Sequence, residues 1–260
     1  MFRLNQYKFK EEYTYYMLQA LKGGKKEAFR KDFLDLHPTD QMQFFIELDE
    51  DRRLRVYSFL SPEEFGEIFS ELDAFMQRKC IVELERDYAI EMLNELPSDD
   101  ATDFFGLLSS KEADYFLDRM EKEEADDIKQ LLRYKKGSVG ALMTTDVVTV
   151  TVSDSVADVM KRLRHSESHA ETIYYLYVTD ANNVLVGIVS LRELIVSDPE
   201  RQMGEIMNSQ MISVSADTDQ SEVVRIIRKY GLLAVPVVSQ KNMLLGIVTF
   251  DDVLLLSHKQ

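Results

Sequence analysis

Gly187-Ile188-Val189-Ser190-Leu191-Arg192-Glu193-Leu194 and Gly246-Ile247-Val248-Thr249-Phe250-Asp251-Asp252-Val253 repeat one pattern at an offset of 59 residues. Upstream, Met143, Val150, Val159 and Leu163 recur as Met207, Val214, Val223 and Ile227 at an offset of 64, so the first copy holds a net five extra residues around 166–172. A repeat of this size means two small α/β modules that pack against each other. A cleft between such copies is a natural place for a ligand.

Working outward, each copy reads strand, helix, strand, strand, helix. Val148, Val150 and Val152 alternate as a short strand, and residues 154–164 read as an amphipathic helix. Residues 174–178 are a strand of aromatic and β-branched residues, Asp180-Ala181-Asn182-Asn183 is a hairpin turn, and 184–189 is the returning strand. Ser190 then caps a helix reaching Ile195. The second copy predicts strands at 212–214, 234–238 and 244–248, a helix at 221–230 and a turn at Gln240-Lys241-Asn242.

The first half carries a different repeat. Leu36, Leu48, Leu60, Leu72, Leu84, Leu96, Leu108 and Met120 fall every twelve residues, and Leu132 continues the series. Eight positions after each marker lies a mainly apolar pair, such as Phe44-Phe45, Ile68-Phe69 and Phe104-Phe105. Polar turns separate marker from pair: Ser61-Pro62-Glu63-Glu64 reads as an N-cap, a first-turn proline and a capping box. Helices this short do not stand alone in water, so they must stack as a superhelix. The fold class expected is therefore α + α/β, an N-terminal superhelix of short α-helices followed by a tandem α/β pair. Residues 1–29 form a leading helix stopped at Gly23-Gly24, 30–136 the superhelix, 137–200 the first α/β copy and 201–260 the second.

Bulk properties narrow the function. A formal charge of −15 argues against nucleic acid as a partner, since phosphate binding needs basic surface. Residues 1–137 carry a net −10 and 138–260 a net −5, so two domains of like sign repel weakly unless something neutralises the surface between them. Cys80 is the single cysteine, which removes disulfide frameworks and thiolate metal sites; it reads as a small core residue. The start lacks an apolar signal sequence and the apolar runs fall short of a membrane span, so the chain is expected to be soluble and cytoplasmic.

Asp99 and Asp103 stand four apart at the start of a helix, on one face. Capping is the plain reading of Asp99. Yet two carboxylates about 6 Å apart repel by roughly 3 kcal/mol at an effective dielectric near 20, less in salt water, and a divalent cation turns that penalty into a site. His165 and His169 are also four apart, but with no third ligand in view they read as surface residues. No phosphate-cradling loop, nucleophile elbow or zinc signature appears, so the chain is not expected to be an enzyme.

The tandem β-α-β-β-α unit, with Gly-apolar-Val-Ser/Thr closing each second strand, resembles a pair of CBS domains. Joined to a superhelix of short helices, it resembles the cytosolic part of MgtE-type magnesium transporters. The stretches Ala141-Leu142-Met143-Thr144, Glu171-Thr172-Ile173-Tyr174-Tyr175, Ser190-Leu191-Arg192-Glu193-Leu194 and Ala216-Asp217-Thr218-Asp219-Gln220 carry that resemblance over residues 30–256. It implies a Mg²⁺-sensing module on the cytoplasmic face of the cell membrane, a homodimer through the CBS domains, gating a transmembrane channel domain that follows the chain. Asp99 and Asp103 match the family's acidic pair facing the CBS domains. The resemblance sets Asp252, with Asp251 beside it, across from them, and the backbone carbonyl of Ala141 where the family has Gly-Gly-Leu-Met. Glu67 and Asp219 are further acidic candidates. Helix capping for Asp252, and solvent exposure for Glu67 and Asp219, are the plain alternatives. Ligands that are oxygens only favour Mg²⁺ or Ca²⁺ over zinc. Ser221, Gly231 and Leu255 stand where better-known members carry further acids, which leaves the number of ions open.

CBS pairs often bind adenine nucleotides such as ATP. Ser190 and Glu193, and Thr249 and Asp252, occupy the pattern's positions; Tyr175 is placed to stack on a base and Arg192 to meet phosphate. A core tyrosine and a surface ion pair are the plain alternative. A nucleotide-sensing regulatory protein is therefore the second functional expectation, and an interaction scaffold of short-helix repeats the third.

Overall fold

Most short helices of the first half open by one rule: the residue after the marker leucine is the N-cap. A computed structural model describes residues 10–165 and 172–258, so His169 and most of the extra residues at 166–172 lie outside the described residues, as do the side chains of His165 and Leu255. The helices are α1 Lys10–Lys22, α2 Lys26–Phe33, α3 Pro38–Ile46, α4 Glu50–Phe59, α5 Pro62–Glu71, α6 Ala74–Glu83, α7 Arg86–Asn94, α8 Ser98–Phe105, α9 Ser110–Leu117 and α10 Lys122–Leu131. Asp49, Ser61, Asp73 and Ser109 each accept a backbone N–H three residues on, and Ser61 and Ser109 form capping boxes with Glu64 and Glu112. The marker leucines occupy the turn that ends each preceding helix and point inward, Leu36, Leu48, Leu60, Leu72, Leu84 and Leu96 all being buried. Leu132 breaks the series. It is 41% exposed, and Leu131 takes the buried place instead.

By contacts the chain divides into two compact units. The first runs to Leu96 and resumes over Asp103–Ala125; the second comprises Pro97–Thr102 and the chain from Asp126 on. Within the first unit alternate helices pack, α3 on α5 and α5 on α7, while α1 packs on α2 and α4. A continuous ladder of rings fills it: Phe45–Phe65 at 5.3 Å, Phe69–Phe104 at 5.1 Å and Phe105–Phe116 at 6.5 Å between centroids. Helix α2 straddles the expected boundary at residue 30, because Phe29 and Phe33 are both buried and stack at 4.9 Å.

The second unit holds two three-stranded sheets. In the first copy β1 Val147–Thr151 runs parallel to β2 Thr172–Thr179, which is antiparallel to β3 Leu185–Ser190; α11 Val156–His165 and α12 Leu191–Val196 complete it. After α13 Met203–Ile206, the second copy repeats the order with β4 Val214–Ser215, α14 Gln220–Tyr230, β5 Ala234–Val238, β6 Leu244–Thr249 and α15 Phe250–His258. Val152 lies past the end of β1, and the turn residues Asn183 and Asn242 both adopt φ 59°.

The copies exchange their leaders. Thr144, ahead of β1, pairs with Ile247 on β6, and Asn208, ahead of β4, pairs with Ile188 on β3. This crossing is why each repeat opens on glycine. A Cβ on Gly246 would run into the Thr144 carbonyl, and one on Gly187 would stand 2.5 Å from Met207 Sδ. The junction before the first copy is likewise fastened to the second: Val139 N–H donates to Thr218 O (2.8 Å), Gly140 N–H to Ala216 O (2.9 Å), and Gln220 N–H to Gly137 O (3.0 Å). Tyr177, Leu185, Ala234, Val238, Leu244 and Ile247 form the apolar seam joining the two copies.

Candidate cation and nucleotide positions

Helix α8 carries Asp99 and Asp100 half-buried in its first turn and Asp103 exposed one turn on. Asp99 belongs to the second compact unit and Asp103 to the first. At the start of α8 Pro97 stands in the cap position and, like Glu85 ahead of α7, supplies no side-chain cap. The Ser98 N–H donates instead to Asp146 Oδ2, 48 residues on, at 2.8 Å. Ser98 Oγ receives the Thr145 N–H at 2.9 Å and lies 3.1 Å from Thr144 Oγ1. Thr144 Oγ1 donates to Asp146 Oδ2 at 2.9 Å. Thr145 Oγ1 stands 2.9 Å from Ser98 Oγ and 2.8 Å from Asp127 Oδ2. Its single proton goes to the carboxylate, which leaves the Ser98 hydroxyl as donor within the triad. Ser98 and Thr144 are 2% and 0% exposed, while Thr145, Asp146 and Asp127 are half-buried, so the hydroxyl centre of the network is shielded and its carboxylates lie nearer the surface. The sequence assigned no site role to Ser98, Thr144, Thr145, Asp146 or Asp127. Pro97, with no polar side-chain atom to cap α8, marks only that this helix start needs a partner from elsewhere.

The other acidic candidates stand singly. Asp252 is half-buried at the head of α15, where Oδ2 accepts the Thr249 N–H (2.9 Å) and hydroxyl (2.7 Å), a capping box closed by the Asp252 N–H on Thr249 Oγ1. Asp251 beside it is exposed. Asp219 is the exposed N-cap of α14; Oδ1 accepts both the Ser221 hydroxyl (2.5 Å) and N–H (2.9 Å), and these bonds hold its carboxyl below the ordinary range. Ala141 ends a 3-10 turn, Val139–Ala141, held by the backbone bonds to the second copy. Glu67 on α5 stands at the surface with its carboxyl raised, first by desolvation and then by the carboxylates of Glu63 and Glu64. Among the described residues, no three of His, Cys, Asp and Glu gather closely enough to share a metal ion.

The nucleotide candidates fall together at one end of the first copy. Tyr175, half-buried on β2, pairs in register with Ser190 at the end of β3. Ser190 caps α12, its N–H and hydroxyl both donating to Glu193 Oε2 at 2.9 Å, while the Arg192 side chain is exposed. The corresponding set in the second copy is Ala234 in register with Thr249, followed by Asp252. Only the first set carries an aromatic ring.

Among the described residues no helix is long and apolar enough to cross a membrane. Residues 36–137 match the MgtE intracellular N domain, and residues 139–199 and 203–259 each match the CBS domain. The magnesium transporter MgtE of Enterococcus faecalis is 46% identical over 94% of this chain and 54% of its own length. The chain thus spans about half the length of the curated relatives it matches. A crystal structure of the soluble part of a magnesium transporter superposes with a TM-score of 0.91 at 38% identity, covering 96% of this chain and 98% of that one. A second, the cytosolic domain of the Mg²⁺ channel MgtE in complex with ATP, does so with a TM-score of 0.85 at 34% identity over 94% and 99%. MgtE is a transporter family and not an enzyme family. With an MgtE N domain, a CBS pair and a near-complete structural match, this chain belongs to the MgtE family, as the cytosolic region.

Proposed function

We propose that the chain is a cytosolic Mg²⁺-sensing module that gates a magnesium channel following it, on the cytoplasmic face of the membrane and as a homodimer through its CBS domains. In this reading Mg²⁺ lies between the acidic faces of the N domain and the CBS pair and favours the closed arrangement. One observation carries it: Asp99 and Asp103 share a face of α8 yet belong to different compact units. The donor set fits the ion. Mg²⁺ keeps several waters and takes one or two carboxylates rather than a protein cage, and the carboxylates of Asp99, Asp103, Asp251, Asp252, Asp219 and Glu67, with the Ala141 carbonyl, are such scattered oxygens. Glu63 and Glu64 lie near Glu67 and add to the desolvation that raises its carboxyl, so negative charge already gathers on this surface. Bound Mg²⁺ supplies two positive charges among these oxygens, and the closed state gains RT ln(1 + [L]/Kd).

Small-angle scattering across a millimolar Mg²⁺ series tests this. The expected result is a radius of gyration that falls as Mg²⁺ rises, with an Asp99→Asn, Asp103→Asn double variant needing at least tenfold more ion. A radius indifferent to Mg²⁺ overturns the reading, as does a double variant with the parent's midpoint.

The register of Tyr175 with Ser190 supports a second reading, an adenine-nucleotide site in the first CBS copy that works beside the cation sites. A relative, the cytosolic domain of the Mg²⁺ channel MgtE, is known in complex with ATP. Ala234 stands in the second copy where the first has Tyr175, so the register that places a ring beside the capping hydroxyl belongs to the first copy. Calorimetry with ATP is expected to show binding that Tyr175→Ala or Arg192→Ala weakens at least fivefold; heats unchanged by both substitutions refute it.

A further inference from the structure

We propose that Ser98 is a positioning residue: with Asp146 and Thr145 it fastens the first turn of α8 to the leader of the first CBS copy, so that Asp99 is presented from a fixed helix start. This rests on the Mg²⁺-sensing reading above. Residues 37, 49, 61, 73 and 109 cap their own helices by side chain; Glu85 makes no such bond, and Pro97 has no polar side-chain atom to make one. The first amide of α8 is instead capped by the Asp146 carboxylate, which also meets the positive end of the helix dipole.

Two further features separate this arrangement from an ordinary cap. Ser98 is joined on three sides, to Asp146 by its N–H and to Thr144 and Thr145 at its hydroxyl, while Thr102 Oγ1 donates to the Ser98 carbonyl at 2.6 Å. The turn so bound is the segment Pro97–Thr102, which groups with the CBS pair while the remainder of α8 groups with the helical unit. A local cap would stabilise α8 equally well without tying it to anything. A cap borrowed from Asp146 makes the place of Asp99 depend on the first CBS copy.

The test measures the Mg²⁺ midpoint by scattering in the 260-residue chain, beside the melting temperature without Mg²⁺. Ser98→Ala and Asp146→Ala are each expected to raise the midpoint about tenfold. Asp146→Asn, which keeps an acceptor oxygen, is expected to stay within about threefold of the parent. Hydrogen exchange without Mg²⁺ supplies an independent readout: the amides of residues 98–102 should lose protection in Asp146→Ala and keep it in Asp146→Asn. If the parent has a midpoint and Ser98→Ala leaves it in place, positioning is refuted and sensing stands. If the parent has no midpoint, sensing fails and the positioning role with it. If Asp146→Asn behaves as Asp146→Ala does, the carboxylate acts through its charge and the capping argument is overturned.

Discussion

The two repeated glycines face different obstacles, so the same substitution should have unequal consequences at the two sites. A Cβ on Gly246 would meet backbone, the Thr144 carbonyl oxygen, with the carbonyl carbon 3.2 Å away. That carbonyl accepts the Ile247 N–H at 3.0 Å, and the Thr144 N–H donates back to Ile247 O at 2.9 Å. Making room in Gly246→Ala therefore breaks this pair of buried hydrogen bonds, at about 1 kcal/mol each, and adds overpacking of about 2 kcal/mol. Relief of chain entropy returns roughly 0.5 kcal/mol, leaving a loss of about 3.5 kcal/mol. Gly187 faces the Met207 side chain, whose Sδ can swing away, although Met207 Cβ lies 3.0 Å off. The Ile188–Asn208 pair at 2.9 and 3.1 Å survives, and Gly187→Ala should lose about 1–2 kcal/mol. At about 2–4 °C per kcal/mol, calorimetry of the CBS transition should show a fall near 10 °C for Gly246→Ala and under about 6 °C for Gly187→Ala. Equal losses, or a larger one at Gly187, would refute the crossing-leader explanation of the repeat.

Two other expectations concern the cores. Arg53 and Glu83, with side chains 3% and 9% exposed, form a two-pronged pair at 2.5 and 2.9 Å, and the Tyr57 hydroxyl donates to the same carboxylate at 2.9 Å. Glu83→Gln should cost the helical unit about 3 kcal/mol in urea unfolding at neutral pH, because it leaves Arg53 as an uncompensated buried charge. Desolvation alone would raise the Glu83 carboxyl, but the bonds from Arg53 and Tyr57 outweigh it and hold the carboxyl below the ordinary range. Its contribution is thus present above the unfolded-state pKa and is lost as pH falls through the depressed folded value. The gap between parent and variant must narrow in acid, and a gap constant from neutrality to pH about 3 would contradict the pairing. Tyr177 is fully buried in the seam, and its hydroxyl makes no hydrogen bond among the described residues. Tyr177→Phe keeps the ring and removes a hydroxyl whose desolvation costs about 1–3 kcal/mol, so the CBS melting temperature should rise by a few degrees; a fall would show that the hydroxyl has a stabilising role.

How much of this was legible in the chain depends on how local the cause was. The twelve-residue spacing was readable because marker, cap and helix are neighbours in sequence, and both strand hairpins followed from their turn residues. Leu132 misled because the last helix ends under a different rule: Leu131 is recruited into the core of the second CBS copy, so the inward position moves by one residue. The α2 helix was hidden by a boundary placed within it, at a point where the buried pair Phe29 and Phe33 carries no marker leucine. Among site residues, the capping alternative for Asp252 could be weighed because Thr249 lies three positions away, whereas Asp219 was read as solvent-exposed and proves to be an exposed N-cap as well, bonded to Ser221 two positions on. The Ser98 network could not be read that way. The partners of the Ser98 N–H and hydroxyl lie 46–48 residues off and, Asp146 apart, are neutral hydroxyl residues, so neither periodicity nor charge pattern connects them.

Under the proposed sensing role, the arithmetic of a dilute ion explains why carboxylates placed singly suit the task. An ion present at its own Kd stabilises the state it prefers by RT ln 2, about 0.4 kcal/mol, and even a hundredfold excess gives only about 2.7 kcal/mol. Repulsion between a carboxylate pair about 6 Å apart is itself roughly 3 kcal/mol before screening. One weak ion cannot turn over such a balance while working near its Kd. Two designs can: several weak ions acting together, or two arrangements already close in free energy. Scattered acids on the two units serve the first. The second requires that no flexible segment dilute the effect of binding, because ordering a helix start at the moment of closure would cost about 1–2 kcal/mol per residue. A first turn of α8 already ordered by Ser98 and Asp146 spares that cost, so the small free energy supplied by the ion is left to act on the domains.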